Sequence, residues 1–271
     1  MLKDFVDAIH FLSGEQIGNG VAFPRVNQVI IINLGSNFFS SDIYSSYAPE
    51  HEVNATVWMN GKHDTHFMLG NKGTTSMYAI SIKLGMMPYF ASLPAYATND
   101  QAVDAVHWTN PDIFNLREQL FVCETIHQGF LLIEQFLTSQ LKGKDFSSFE
   151  KITWLSKAIK THSVNQLSEK LGASRKRLRS EAQFFFGSSI KTIQGIIRFN
   201  KTLSQIANHP GQTLSSLHEY YDQAHFINDF KANTGITPLQ YKKLCLQFPF
   251  IQHTPNFLAL KKETFLQFIG E

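Results

Sequence analysis

Cysteine and long apolar runs are both scarce in this sequence of 271 residues. The two cysteines, Cys123 and Cys245, are far apart and share no CxxC spacing, which excludes a disulfide framework and a cysteine-based metal cage. We expect each to be a buried free thiol, because unpaired cysteine behaves as a small hydrophobic residue. No stretch approaches the roughly 18 apolar residues of a membrane helix, and the first residues lack the basic-then-apolar pattern of a signal peptide. The sequence therefore predicts a cytoplasmic protein with no membrane partner.

Recognisable catalytic motifs are also absent. The sequence contains no glycine-rich phosphate loop, no GxSxG turn and no HExxH helix. His63 and His66 flank Asp64, but no third ligand follows at a defined spacing, so we predict no metal site. We also predict no catalytic residues and no cofactor, and we do not expect an enzyme.

The net charge is only +2 at neutral pH, but its distribution is uneven. Residues 1–149 carry 8 Lys and Arg against 14 Asp and Glu, whereas residues 150–245 carry 14 against 6. A basic second half favours contact with a polyanion, and an acidic first half favours solvent or a small ligand. Taken alone, the charge is also compatible with random asymmetry.

The first half alternates short β-rich runs with turn residues. Runs at 29–32, 56–59 and 78–82 predict strands, and Asn60-Gly61 predicts a hairpin turn after the second of them. Between 112 and 141 the apolar residues recur every three to four positions, which predicts one or two helices. The first half is therefore expected to have an α+β fold.

After a polar break at 143–148 the pattern is helical almost throughout. Ser163 and Gly172 delimit one short helix, and Ser174 and Gly187 delimit a second one that is rich in basic residues. A short helix, a tight turn and a capped basic helix are typical of a DNA-reading helix-turn-helix. Further helices are predicted at 152–161, at 190–207, after Thr213, and after Asp222 with Phe226 and Phe230 as core residues.

One string in the second half is distinctive. Residues 220–227 read Tyr-Tyr-Asp-Gln-Ala-His-Phe-Ile, and Gly235, Pro238 and Tyr241 follow. These residues resemble the second helix-turn-helix signature of the AraC family of bacterial transcription regulators, in the subgroup with Tyr-Tyr-Asp-Gln-Ala-His-Phe. The first half is similar, more weakly, to a sensor-like domain that often precedes this subgroup, and no defined ligand comes with that likeness.

The resemblance implies an α+β N-terminal domain followed by an all-α domain in which a long helix joins two helix-turn-helix units. We place a sensor-like domain at 1–145, the double helix-turn-helix domain at 146–245 and a C-terminal helical extension at 246–271. A shortened stretch between Leu217 and Tyr220 departs from the family, as do Ser180 and Asn228 where the family usually has arginine.

The basic helix that begins after Ser174 holds the first candidate DNA-binding residues. Its core side is fixed by Leu178, so Lys176, Arg179 and Ser180 are predicted to face the major groove. Arg179 is the best single candidate for a base contact, because an arginine fork matches guanine O6 and N7. Arg175 and Arg177 are predicted to meet phosphates.

The second reading helix is less basic. The resemblance places Gln223, Ala224, His225 and Asn228 near bases, and Lys231 completes the predicted set. Gln223 and Asn228 can each pair with adenine, whereas His225 is equally compatible with packing.

Together these features predict a sequence-specific transcription regulator that binds double-stranded DNA. Its N-terminal domain is expected to respond to a small-molecule effector or to form a homodimer. The alternative is a degenerate family member, which acts as a ligand-binding or protein-interaction module and binds DNA weakly and without specificity.

Overall fold

A computed structural model describes residues 2–15, 19–41, 51–53, 55–213 and 223–270. The strands are β1 (Val6–Glu15), β2 (Gly20–Ala22), β3 (Gln28–Asn33), β4 (Phe38–Ser41), β5 (His51–Val53), β6 (Val57–Asn60), β7 (Phe67–Asn71), β8 (Thr74–Ile82), β9 (Ala102–Asp104) and β10 (Phe257–Leu258). The helices are α1 (Asp112–Phe121), α2 (Ile126–Gln140), α3 (Phe149–Ala158), α4 (Val164–Leu171), α5 (Arg175–Phe186), α6 (Ile190–Asn208), α7 (Gln223–Thr234), α8 (Pro238–Gln247) and α9 (Lys262–Gly270). The N-terminal part is thus sheet-rich and the C-terminal part helical.

The strands form two antiparallel sheets. In the first, the order is β1-β8-β3-β6-β9, and in the second it is β10-β2-β7-β4-β5. The central strand β3 is buried at every position, and its side chains divide between two apolar clusters. Ile30 and Ile32 belong to the cluster that includes the helices, whereas Val29 and Ile31 pack with Phe38 of the second sheet. One face of the first sheet therefore packs against α1 to α5, and its other face packs against the second sheet.

The predicted strands are confirmed as β3, β6 and β8, but the predicted hairpin after β6 is wrong. The next strand, β7, belongs to the other sheet. Gly61 instead donates its N–H to the carbonyl of Thr98 at 3.1 Å, and a Cβ at this position would overlap that backbone. Glycine is needed here for close backbone approach rather than for a turn.

The apolar periodicity of 112–141 resolves into two helices, α1 and α2. Thr125 begins α2 with a capping box in which Gln128 takes part, and Ile133 and Leu137 are buried on its inner face. Gly129 lies directly against the Tyr78 ring, so this helix packs close to β8. The prediction of one or two helices is confirmed.

The caps and stops predicted for α4 and α5 are confirmed. The side chains of Ser163 and Ser174 cap α4 and α5, while Gly172 and Gly187 end these helices in the left-handed conformation. α3 begins three residues earlier than predicted, at Phe149, and ends at 158. The long helix α6 ends one residue later than predicted, at 208.

Three of the sequence predictions fall on the stretch that follows α6. The predicted short helix after Thr213, the Tyr-Tyr-Asp motif at 220–222 and the shortened stretch before it lie outside the described residues. In α7 the predicted core residues Phe226 and Phe230 are buried, and Gly235 follows with a positive φ of 75°. α8 begins at Pro238, with Thr237 as its N-cap in a capping box.

The C-terminal tail contains a strand that the predicted helical extension omits. A 3-10 helix at Pro249–His253 precedes β10, which pairs with β2, and only then does α9 begin. The Tyr241 hydroxyl donates to the Pro255 carbonyl at 2.8 Å, and Phe265 of α9 is fully buried. The tail therefore ties α8 to the second sheet.

Apolar packing crosses both predicted domain boundaries. One cluster joins strands of the first sheet to α1 through α6, and another joins Val21, Phe23 and Met68 to α6, α7, α8 and the tail. Across the described ranges, no helix is both long and apolar enough to cross a membrane.

Candidate functional site

Helices α4 and α5 are consecutive, pack on each other and are joined by residues 172–174. Their contact is apolar, because Leu167 and Leu178 are both buried in the same cluster. Ala182 and Phe186 continue the buried face of α5. This packing fixes which side of α5 is turned outward.

The outward side of α5 carries every DNA-binding candidate predicted on this helix. Arg175, Lys176, Arg177, Arg179 and Ser180 are all exposed. The predicted cap is also present, because the Ser174 hydroxyl accepts the N–H of Arg177 at 3.3 Å. The helix thus presents a cationic surface, which we call the α5 ridge and define as residues 175, 176, 179 and 180.

Arg177 differs from the ridge residues because it is ion-paired. Its Nε lies 3.2 Å from Glu181 Oε1, and Lys151 Nζ of α3 lies 2.7 Å from the same oxygen. The Glu181 side chain is only 17% exposed, so the carboxylate is held between the two cations. The i,i+4 spacing of Arg177 and Glu181 could have been recognised in the sequence, but the contribution of Lys151 could not.

The C-terminal end of α5 contacts the N-terminal part. The 3-10 helix at Ala95–Thr98 packs on α5, and Asn99 donates from Nδ2 to the Gly187 carbonyl at 2.6 Å. Phe186 lies against Gly85, where a Cβ would overlap its ring. The position of α5 therefore depends on the segment 95–99 as well as on its helical neighbours.

The second group of predicted site residues lies on α7. Ala224, His225, Asn228 and Lys231 are exposed. Gln223 is the first residue of α7, and its side chain lies outside the described part of the chain. On this helix Lys231 carries the positive charge, so α7 presents a less cationic surface than α5.

α6 connects the two groups. It has 19 residues, and at about 1.5 Å per residue it is about 28 Å long. Ile193, Phe199 and Leu203 are fully buried, and Asn200 donates from Nδ2 to the Pro24 carbonyl at 3.1 Å. α6 is therefore anchored to the N-terminal part as well as to the helices.

A second group of cationic side chains, which no sequence pattern predicts, is buried in the N-terminal part. Lys62 is 1% exposed, and its ammonium pairs with the Asp64 carboxylate. His63 is 6% exposed and forms a β-bridge with Arg25, with paired backbone hydrogen bonds of 3.2 Å. We call Lys62, His63 and Arg25, which is itself only partly buried, the buried cationic cluster.

Burial lowers the pKa of two members of this cluster, Arg25 and His63. Desolvation lowers the pKa of Arg25 to about 10. Desolvation, followed by the charges of Arg25 and Lys62, lowers the pKa of His63 to about 3. His63 is therefore neutral at physiological pH, although its Nδ1 lies 3.8 Å from Asp100 Oδ1.

Both cysteines are free thiols. Cys245 is buried as predicted, and desolvation raises its pKa to about 11, whereas Cys123 is only partly buried. Within the described ranges, no group of three or more His, Cys, Asp or Glu side chains is placed to hold a metal ion.

Comparison with known proteins yields remote structural likenesses. No protein-family model matches the chain, and no curated protein matches it. A 1.65 Å structure of ToxT from Vibrio cholerae is 11% identical, covers 88% of this chain and 98% of its own, and has a TM-score of 0.45. ToxT bound to an unsaturated fatty acid is 13% identical, with coverages of 87% and 94% and a TM-score of 0.43. ToxT bound to (E)-4-(8-methylnaphthalen-1-yl)but-3-enoic acid is 15% identical, with coverages of 88% and 98% and a TM-score of 0.45. These values are too low to assign a family or a function.

Proposed function

We propose that this protein is a sequence-specific, DNA-binding transcription regulator of the AraC type. The observation that supports the proposal is the α5 ridge: Lys176, Arg179 and Ser180 are exposed together on a capped helix whose opposite face is buried. An exposed basic helix that follows a short helix and a tight turn suits insertion into the major groove. α4 and α5 would form the first helix-turn-helix unit.

Two kinds of contact would act together at this unit. Arg175 and Lys176 would neutralise phosphates and provide affinity that falls with salt. Arg179 would read a guanine with its two-pronged guanidinium, worth about 1–3 kcal/mol of discrimination against a wrong base. Arg177 is a weaker phosphate ligand than the sequence suggested, because Glu181 already accepts its Nε–H.

α7 would supply the second reading helix. Asn228 and His225 are exposed there, and Lys231 lies about one turn beyond Asn228. The length of α6, about 28 Å, is close to the roughly 34 Å between successive major-groove segments on one side of a duplex. One subunit would then cover two adjacent groove segments, with α5 providing the larger electrostatic share.

The N-terminal part would make the regulator responsive to a small-molecule effector, and a homodimer would bind paired half-sites. α5 and α6 both contact this part, through Asn99 and Pro24, so a change there can reach the α5 ridge. We further propose that the protein acts in the cytoplasm, where its DNA is found.

A selection of bound sequences from random duplex DNA tests the proposal. The enriched duplex is then titrated by fluorescence anisotropy at several salt concentrations, beside a scrambled duplex. We expect log K to fall linearly with log salt, and the enriched duplex to bind more tightly than the scrambled one. Arg179→Ala should remove most of that preference, by about 5-fold to 150-fold.

Two further variants show whether a loss of DNA binding comes from lost base recognition or from lost charge. Arg179→Lys keeps the charge but not the two-pronged fork, so it should lose sequence preference and retain the salt dependence. Lys144→Ala removes one exposed cation far from α5 in sequence and should change neither. Equal binding of enriched and scrambled duplexes by the wild type would contradict the proposal and favour the non-specific interaction module.

A further inference from the structure

The buried cationic cluster lacks a full set of partners among the described residues. Lys62 pairs with Asp64, but the Nε2 of His63 is buried and has no hydrogen-bond partner in the described ranges. No acidic side chain in those ranges forms an ion pair with Arg25, which is only partly buried. The acidic groups that face the cluster, Asp64 and Asp100, are each about 40% exposed.

Burying these side chains costs free energy unless a complementary group pairs with them. A buried charge or polar nitrogen is stabilised only when it is paired, and a guanidinium offers donors in a fork that fits two oxygens. The pKa of His63 is lowered first by desolvation and then by the charges of Arg25 and Lys62, so both cations repel a proton on the imidazole. A neutral imidazole can carry its proton on Nε2 and donate it. The unpaired Nε2 of His63, with Arg25 and Lys62 nearby, therefore favours an oxygen acceptor that carries negative charge.

We infer that Arg25, Lys62 and His63 form a binding site for a small oxyanion, a carboxylate or a phosphate group. Arg25 would contribute the two-pronged contact, since it is the member of the cluster that is only partly buried. Lys62 would contribute charge, and His63 would donate from Nε2.

The site is connected to the end of α5 through the segment 98–100. Asp100 Oδ1 accepts the N–H of Asp64 at 2.7 Å, and Asp100 donates its own N–H to the Lys62 carbonyl at 3.0 Å. Its neighbour Asn99 bonds to Gly187 at the end of α5. An incoming anion competes with the Asp64 carboxylate for the Lys62 ammonium, and Asp64 is hydrogen-bonded to Asp100, so the contacts that hold this segment change. The oxyanion would therefore alter DNA binding, a step that rests on the proposed function, whereas the site itself does not.

Anion binding is measured on the full chain with inorganic phosphate and with acetate as probes. Ionic strength is held constant with chloride, and the ring signals of isotope-labelled histidine are followed by NMR, with His63→Gln used for assignment. We expect one of the two anions to shift the His63 signal saturably, and the anion that saturates at lower concentration identifies the preferred chemistry. Arg25→Gln should weaken that binding about tenfold or more, because a charged hydrogen-bond donor is lost.

The control is Lys144→Gln, which removes an exposed cation outside both groups and should bind the anion as the wild type does. Arg25→Gln is preferred to a change of Lys62, because a partly exposed side chain can be replaced without emptying the core. The inference is overturned if neither anion shifts His63, or if Arg25→Gln binds like the wild type.

A second arm tests the connection to α5. The affinity for the enriched duplex is measured with and without the saturating anion, at constant ionic strength, for the wild type and Arg25→Gln. The wild type should change its Kd about fivefold or more, and Arg25→Gln should not change. An unaltered wild-type Kd overturns the connection. Absence of DNA binding under all conditions would refute the proposed function and leave the NMR result valid.

Discussion

The α5 ridge and the buried cationic cluster contain similar side chains in opposite surroundings. Arg175, Lys176 and Arg179 project into solvent from a helix, whereas Lys62 and His63 lie almost wholly inside the protein. Desolvation lowers the pKa of His63 to about 3, whereas the ridge side chains remain in contact with water. Solvation, not residue type, separates the two groups.

This difference determines what each group can bind. Exposed cations keep their hydration and their freedom to move, so they suit a long polyanion and respond strongly to salt. Buried cations are held in one geometry by the surrounding packing, so they suit a partner of fixed size and are screened far less. Salt and pH are therefore expected to act on different parts of this molecule.

Removing one partner of an ion pair should reduce the free energy of unfolding more in the buried cationic cluster than beside the α5 ridge. Asp64→Asn leaves the ammonium of Lys62 inside the protein without its carboxylate, and we expect a loss of about 2–3 kcal/mol in the free energy of unfolding. This is below the value for a fully buried pair, because Asp64 is partly exposed. Urea denaturation at pH 7 and constant salt measures the change.

The matched variant is Glu181→Gln, which removes the carboxylate shared by Arg177 and Lys151 near the ridge. Because Arg177 is 71% exposed, that loss should remain below about 1 kcal/mol. Equal losses in the two variants would show that the buried cluster is hydrated like the surface.

Acid should destabilise the protein through His63. In the folded state its pKa is about 3, against an ordinary value of 6.5, so the unfolded chain takes up a proton that the folded protein refuses. His63 therefore costs stability as the pH falls below 6.5, and the loss levels off near pH 3. Between pH 7 and pH 5 it amounts to about 2 kcal/mol.

Denaturation of the wild type and His63→Gln at both pH values isolates this contribution, because the carboxylates titrate alike in the two proteins. The pH dependence should be smaller in His63→Gln by about 2 kcal/mol. His107→Gln, which changes an exposed histidine, should behave like the wild type. Identical pH dependence in all three proteins would mean that the His63 imidazole is not desolvated.

Sequence reasoning succeeded where the signal was local. The caps Ser163 and Ser174 and the stops Gly172 and Gly187 delimit α4 and α5 correctly, because capping depends on residues within one turn. The exposed face of α5 followed from the position of Leu178. Each residue of the α5 ridge could therefore be predicted from the sequence alone.

Local sequence patterns did not predict the features that depend on contacts between distant segments. Asn60-Gly61 has the local chemistry of a hairpin, but Gly61 is required by its contact with Thr98, 37 positions away. The burial of Lys62 and the pairing of β10 with β2 likewise arise from tertiary packing, which no local pattern encodes. Whether 1–145 and 146–245 act as separate domains stays a prediction.

The smallest expected effect concerns the single hydrogen bond by which Asn99 joins the two regions. Asn99→Ala removes the donor to the Gly187 carbonyl, so we expect a loss of about 1 kcal/mol in the free energy of unfolding. The loss is limited because Asn99 Oδ1 is buried without a partner in the described ranges. Removing this unpaired oxygen recovers part of the free energy that its burial costs. DNA affinity should fall by less than about tenfold, because the ridge itself is intact.

Asn110→Ala provides the control, because Asn110 is an exposed asparagine whose hydrogen bonds go to nearby Asp112. It should also cost about 1 kcal/mol or less, but DNA affinity and its response to the oxyanion should remain those of the wild type. In Asn99→Ala the response to the oxyanion should be lost, because the segment 98–100 no longer holds α5. If Asn99→Ala kept that response in full, the link between the buried cluster and the ridge would have to run through α6 and its contact with Pro24 instead.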